Sequence, residues 1–272
     1  MVSINIIFYL LIVIIGITFG SFFTLAVYRI PLKQDITHTR SYCPNCNHKL
    51  SFFDMIPILS YIFLKGKCRY CGNKIRIRYL LLEVLSGLIF ILFAIPFKDK
   101  ILSLDNTYLV YFITGILYIS GMFILAGIDK EKHEIKNEVL LYIVLIETIY
   151  IIYLYILQIA NVYRYVMYLF VIILLIVLNN IYLGKKAKNN YIIQNLILIV
   201  EMVIFTYEIN TIITIIFTLL TVAIFKLLSN LRSKKFIKSD EKNENQQIIP
   251  MAYYLCICNL IVLVITNFII YK

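Results

Sequence analysis

Long apolar runs separated by short charged stretches dominate this chain. Eight of them stand near Asn5–Val27, Tyr79–Phe97, Tyr108–Ile128, Val139–Leu157, Val162–Leu183, Tyr191–Tyr207, Thr211–Leu228 and Met251–Tyr271. Crossing a hydrocarbon core takes roughly 17–25 residues per helix. The sixth run is short and carries Glu201. In lipid, backbone polar groups must be satisfied within the segment, so the runs predict helices. The pattern predicts an all-α integral membrane protein of about eight transmembrane helices. Two polar stretches interrupt it: an insertion of about fifty residues, Arg29–Arg78, and a connector, Ser229–Gln247, containing the run SDEKNENQQ. Residues 1–87 read as the first span with its insertion, and residues 88–272 as a multi-span membrane domain.

Composition agrees, with 61% of residues hydrophobic and 15% charged, against about 25% charged in soluble proteins. The formal net charge is +11, and its distribution decides what it faces. If the spans alternate, Arg29–Arg78, Lys130–Lys136, Lys185–Lys188 and Lys226–Lys242 share one side and hold 22 Lys/Arg, against 4 on the other. The positive-inside rule then places the insertion and these loops in the cytoplasm and both termini outside. Basic loops there face anionic lipid, so the bilayer is the expected partner and nucleic acid is not. The first run is too long for a cleavable signal, and no Lys or Arg precedes it.

The insertion contains Cys43-Pro-Asn-Cys46 and, after 21 residues, Cys68-Arg-Tyr-Cys71-Gly72. Two residues between cysteines let one turn present both thiolates to a tetrahedral metal, and two such knuckles complete its shell. Gly72 supplies the left-handed backbone that ends such a turn. Disulfides are the competing reading, disfavoured in a reducing compartment; an iron–sulfur cluster is the other. Structural zinc on Cys43, Cys46, Cys68 and Cys71 is the expectation, because four thiolates leave no position open for water. His48 reads as a surface residue or an alternative ligand, and Cys256 and Cys258 as packing residues.

Around the insertion the sequence resembles a known family. Gly16–Pro31 (GITFGSFFTLAVYRIP), Ile56–Gly72 (IPILSYIFLKGKCRYCG) and Ile75–Gly87 (IRIRYLLLEVLSG) are similar to the opening of bacterial prepilin leader peptidases, which are intramembrane aspartic peptidases and N-methyltransferases. Ala126–Asn137 (AGIDKEKHEIKN) resembles that family's first aspartate motif, and Ile248–Tyr254 (IIPMAYY) the Pro-containing entry to its last span. The resemblance implies an enzyme that cuts the leader of type IV prepilins or pseudopilins at the cytoplasmic membrane face. It implies methylation of the new amino terminus with S-adenosylmethionine as well. Gly20, Ser21, Phe22, Arg29, Pro31, Arg78, Tyr79 and Glu83 match the family's substrate and methyl-donor region; Thr24 stands where the family has Asn. Read without the resemblance, Glu83 is a helix-start or ion-pair residue and Arg78 an interfacial anchor.

Aspartic hydrolysis needs two carboxylates sharing a proton. Asp129 matches the first. The second belongs to a G-x-G-D motif, over which Ala187-Lys188-Asn189-Asn190 align, so Asn190 stands where the acid is expected. An amide cannot take the proton. Asp240 lies in a polar connector, Glu201 about three turns deeper in its span, and Glu208 on the outer side, so none replaces it. The sequence thus predicts a prepilin peptidase and N-methyltransferase with an impaired proteolytic half. A pilin-binding membrane scaffold is the alternative. A transporter would need paired intramembrane charges, for which Glu147 and Glu201 are the candidates.

Overall fold

The computed structural model describes residues 2–158, 162–183, 191–236 and 249–271. Ten helices follow in chain order among them: α1 Val2–Arg29, α2 Leu59–Phe63, α3 Arg78–Ala94, α4 Lys98–Leu102, α5 Asn106–Lys132, α6 Asn137–Ile156, α7 Val162–Leu183, α8 Tyr191–Thr206, α9 Glu208–Phe236 and α10 Met251–Tyr271. Six stretches are long and apolar enough to cross a membrane, and two shorter apolar helices, Tyr163–Val177 and Tyr191–Thr206, accompany them. The chain is a multi-pass, all-helical membrane protein, as the eight apolar runs predict. One boundary differs: α9 continues to Phe236, past the expected loop start at Ser229. The segment after Leu228 contains no Gly or Pro to stop a helix. Lys185–Lys188 and residues 237–248 lie outside the described residues.

The chain divides into two compact units, Met1–Ile116 with Asn267–Lys272, and Leu117–Thr266. In the first, α1 packs along α3. Without a hydrophobic drive between helices in lipid, close approach of small residues supplies the attraction. A Cβ on Gly16 would lie 2.8 Å from the Gly87 Cα, and one on Gly20 would lie 2.6 Å from the Glu83 Cα and strike the Ser86 hydroxyl. The Ser86 hydroxyl donates to the Gly16 carbonyl at 2.7 Å. Between α1 and α3 the chain forms a lobe with two isolated β-bridges, Tyr42 with Lys49 and Lys67 with Lys74.

In the second unit α8 packs against α6, α7 and α9. Its buried residues include Leu198, Met202 and Phe205. The Tyr118 ring stacks on Phe205 at 4.4 Å. Its hydroxyl donates to the Asn259 side-chain oxygen at 2.9 Å.

Candidate functional site

The four lobe cysteines converge as their spacing predicts. Their sulfurs all lie within 4.8 Å of one another, and none is in a disulfide. The two knuckles share one hydrogen-bond scheme. The Cys43 N–H donates to the His48 carbonyl and the Asn47 N–H to the Cys43 carbonyl; the Cys68 N–H donates to the Asn73 carbonyl and the Gly72 N–H to the Cys68 carbonyl. Each knuckle closes on a left-handed residue at the equivalent place, Asn47 (φ 55°) and Gly72 (φ 70°). Asn and Gly are the residues that adopt this conformation most readily.

A zinc ion fits this set. Zn–S bonds of about 2.3 Å in a tetrahedron put the sulfurs about 3.8 Å apart, and the Cys43 and Cys71 sulfurs are 3.9 Å apart. The Asn73 backbone N–H and the Asn45 side-chain amide hold the Cys71 thiol down at about 6. The His48 N–H also favours the Cys46 thiolate, but desolvation and the adjoining Cys43 and Cys71 push that group up to about 11. Thiols this close compete for negative charge, and a divalent cation removes the competition. The His48 and Tyr70 rings meet at a tilt of 32°, with centroids 3.6 Å apart, which joins the knuckles.

The residues matched to the family's substrate and methyl-donor region lie on α1, α3 and the turns beside them. Buried Arg29 donates to the carbonyls of Asp35 (2.8 Å), Thr39 (3.0 Å) and Arg40 (3.2 Å). It therefore shapes the approach to the first knuckle. Pro31 is the central residue of the tight turn Ile30–Leu32 after α1. Buried Glu83 accepts the Ile58 N–H at 2.7 Å. That bond holds a β-branched residue at φ 62°, a conformation such residues avoid. Gly20 is the contact point with α3. The Thr24 hydroxyl donates to the Ser21 carbonyl at 2.7 Å, a local helix bond. Arg78 lies over the Tyr79 ring at 5.0 Å, and Phe22 is exposed. These contacts, invisible in the sequence, make much of the set the frame of its unit.

Asp129 lies in the last turn of α5, is 0% exposed, and is fully engaged. The Tyr191 hydroxyl donates to both its oxygens at 2.9 Å. The Tyr253 N–H donates to Oδ2, also at 2.9 Å, and the Ala252 N–H reaches the Tyr191 hydroxyl at 3.2 Å. Tyr191 is the first residue of α8; Ala252 and Tyr253 are in the first turn of α10. The N–H groups of a first turn have no partner within their helix, and Pro250 before it lacks a capping side chain. Asp129 supplies the missing acceptor, and that helix end favours a negative charge.

No second carboxyl group donates to Asp129 among the described residues; a phenol does. Asn190, aligned with the second aspartate, lies outside the described residues, as does Asp240. Sequence reasoning missed Tyr191, one residue beyond the aligned position. A phenol with a reference pKa near 10 donates a hydrogen bond but is no acid–base twin for a carboxylate.

Glu147 on α6 and Glu201 on α8 are both 0% exposed. Among the described residues, none of their four carboxyl oxygens has a hydrogen-bond partner. Glu208 is taken up by Arg164 (3.4 Å) and the Tyr168 hydroxyl (2.8 Å). Cys256 and Cys258 are buried on α10, as expected of packing residues.

Comparison with known proteins matches residues 14–97 to the bacterial peptidase A24 N-terminal domain. Over 77 residues the chain is 44% identical to a prepilin leader peptidase/N-methyltransferase of Myxococcus xanthus, covering 28% of this chain and 23% of that one. The protein of the same description from Vibrio cholerae is 35% identical over 135 residues, covering 38% and 53% respectively. That from Bacillus subtilis is 35% identical over 129 residues, covering 47% and 48%. The chain thus spans from about a quarter to about half the length of these relatives. No solved structure matches it. Through its bacterial peptidase A24 N-terminal domain at residues 14–97, the chain is a relative of the prepilin leader peptidases/N-methyltransferases.

Proposed function

We propose that this protein binds type IV prepilins or pseudopilins at the cytoplasmic face of a bacterial plasma membrane and methylates their processed amino terminus. Its leader cleavage is slow. The observation that carries this reading is a contrast: the lobe between α1 and α3 gathers its four cysteines at one point, whereas among the described residues Asp129 faces Tyr191 rather than a second acid. S-adenosylmethionine supplies the methyl group, and the region spanning Gly20 to Glu83 is where the resemblance puts its use. Zinc on the four cysteines fixes the lobe and takes no part in bond making. Asp129 is the catalytic carboxylate of what cleavage there is. Loss of its partner costs several powers of ten in rate, on the order of what removing one member of a catalytic unit costs elsewhere.

A second reading, a pilin-binding scaffold without chemistry, draws on the same engagement of Asp129. Isotope transfer from S-adenosylmethionine to a pre-cleaved pilin separates the two. Label on the pilin amino terminus is expected, and its absence would leave the scaffold. Mass spectrometry of a co-expressed prepilin completes the test. Most of it should keep its leader, and Asp129→Asn should remove the small cleaved fraction. Complete cleavage by the unaltered protein would sink the impaired-peptidase reading.

A further inference from the structure

The lobe exposes a concentration of large apolar side chains that neither the zinc centre nor the proposed chemistry uses. Phe52 is 72% exposed, Phe53 70%, Ile62 58% and Phe63 78%. Ile62 and Phe63 lie on the one-turn helix α2, Phe53 opens the turn Phe53–Met55 before it, and Phe52 immediately precedes that turn. Phe53, Leu59 and Phe63, with Arg69 and Tyr70, border an open groove of about 430 Å³. A water-facing lobe gains nothing from four such side chains, and patches of this kind mark protein or membrane contact.

Three observations select the membrane. The first is depth. The residue immediately before α2, Ile58, is bonded to Glu83 at 2.7 Å. Glu83 is five residues into α3, about 7.5 Å along the helix axis from Arg78, within the span Arg78–Leu102. A hydrocarbon core of about 30 Å puts that level just beneath the headgroups, and interfacial helices bury their apolar faces about 5–10 Å deep. The second is tethering, since α1 and α3, which bracket the lobe, are both apolar enough to span.

The third is charge. Lys65 and Lys67 follow α2 directly and are exposed, and the segment from Arg29 to Arg78 holds ten Lys/Arg against two Asp. One of those acids, Asp54, is already paired with Arg69 at 2.6 Å. Basic residues beside an apolar face fit anionic headgroups.

We propose that α2 and the Phe52–Phe53 turn insert into the anionic leaflet of the same bilayer that holds α1 and α3. Lys65 and Lys67 meet the phosphates. The lobe is thereby pinned to the membrane surface at a fixed height. This does not depend on the proposed enzymology.

The chain contains no Trp, so a single introduced indole reports its own surroundings. The full-length protein carrying Phe63→Trp, reconstituted with zinc, is compared in vesicles of phosphatidylcholine alone and with phosphatidylglycerol, using acyl chains brominated near the headgroup. Blue-shifted emission and about two-fold quenching by bromine are expected, stronger with the anionic lipid. Lys65→Glu with Lys67→Glu should abolish that lipid dependence. Asn73→Trp, on the second knuckle, should instead be quenched by aqueous iodide. Should Phe63→Trp lose its zinc, Phe52→Trp serves as the reporter. Iodide quenching without bromine quenching would overturn the proposal. So would an indole that becomes shielded only when a pilin segment is added, which would assign the face to a protein partner.

Discussion

The four-cysteine lobe with α1 and α3, and the surroundings of Asp129, are built on opposite principles. In the first, many short-range contacts repeat one plan: twin knuckles, a Gly-to-Ser helix seam, and one Arg holding three carbonyls. In the second, a single buried carboxylate satisfies a tyrosine and the start of another helix. The domain match follows the same division, covering residues 14–97 and stopping short of Asp129. One unit is held by many contacts, whereas the other gathers the ends of three helices on one carboxylate. Asp129 in this setting caps a helix, and any catalytic work must compete with that duty.

The largest effect should come from the metal. Cys43→Ser, or stripping zinc with a strong chelator, should unfold the lobe. Binding at structural sites of this type is worth about 10–16 kcal/mol in small zinc domains. One zinc per chain by elemental analysis, lost in the variant together with protease resistance of the lobe, would bear this out. A lobe that stays resistant without metal would show that hydrogen bonds alone hold it.

Next is the helix seam. Gly20→Val forces a side chain against Glu83 and Ser86 and should cost about 2 kcal/mol or more, read as a lowered midpoint of thermal unfolding in detergent. An unchanged midpoint would mean that α1 and α3 are not pressed together there.

Tyr191→Phe tests the other region. It removes one donor from a buried carboxylate, for a loss of about 1–3 kcal/mol. The same substitution should leave zinc content unchanged, which distinguishes the two units.

The smallest effect concerns Asp54. Burial opposes its ionisation, but bonds from Ser51, Arg69 and Tyr70 prevail and hold it at about 2, below its ordinary 3.8. A depressed carboxyl contributes stability above its unfolded value and loses it as pH falls toward the folded one. The window is therefore between about 4 and about 2. Carbon-13 spectra of the carboxyl should show Asp54 still ionised at pH near 3.5, and titrating higher in Arg69→Met; a midpoint near 4 in the unaltered protein would contradict the arrangement.

Much of this was legible in the sequence. Apolar runs locate the helices because lipid admits little else, and paired C-x2-C spacing locates the metal cluster because tetrahedral thiolate geometry demands it. What eluded the sequence depends on tertiary approach. Nothing in the residues around Glu83 announces that it receives the Ile58 N–H from 25 positions away. Motif alignment favours Asn190, the neighbour of Tyr191; only the packing of α5, α8 and α10 around Asp129 reveals the phenol. Glu147 and Glu201 are suspicious as intramembrane acids, but that they lack hydrogen-bond partners among the described residues becomes visible only once the helices are packed.

On the proposed reading, the Tyr191 phenol rather than a second carboxyl group faces Asp129. The most direct measurement is cleavage of purified prepilin by reconstituted protein, unaltered and as Tyr191→Asp. Slow cleavage is expected, rising about a hundred-fold or more when the phenol becomes a carboxyl. Brisk cleavage by the unaltered protein, diminished by Tyr191→Asp, would contradict that reading.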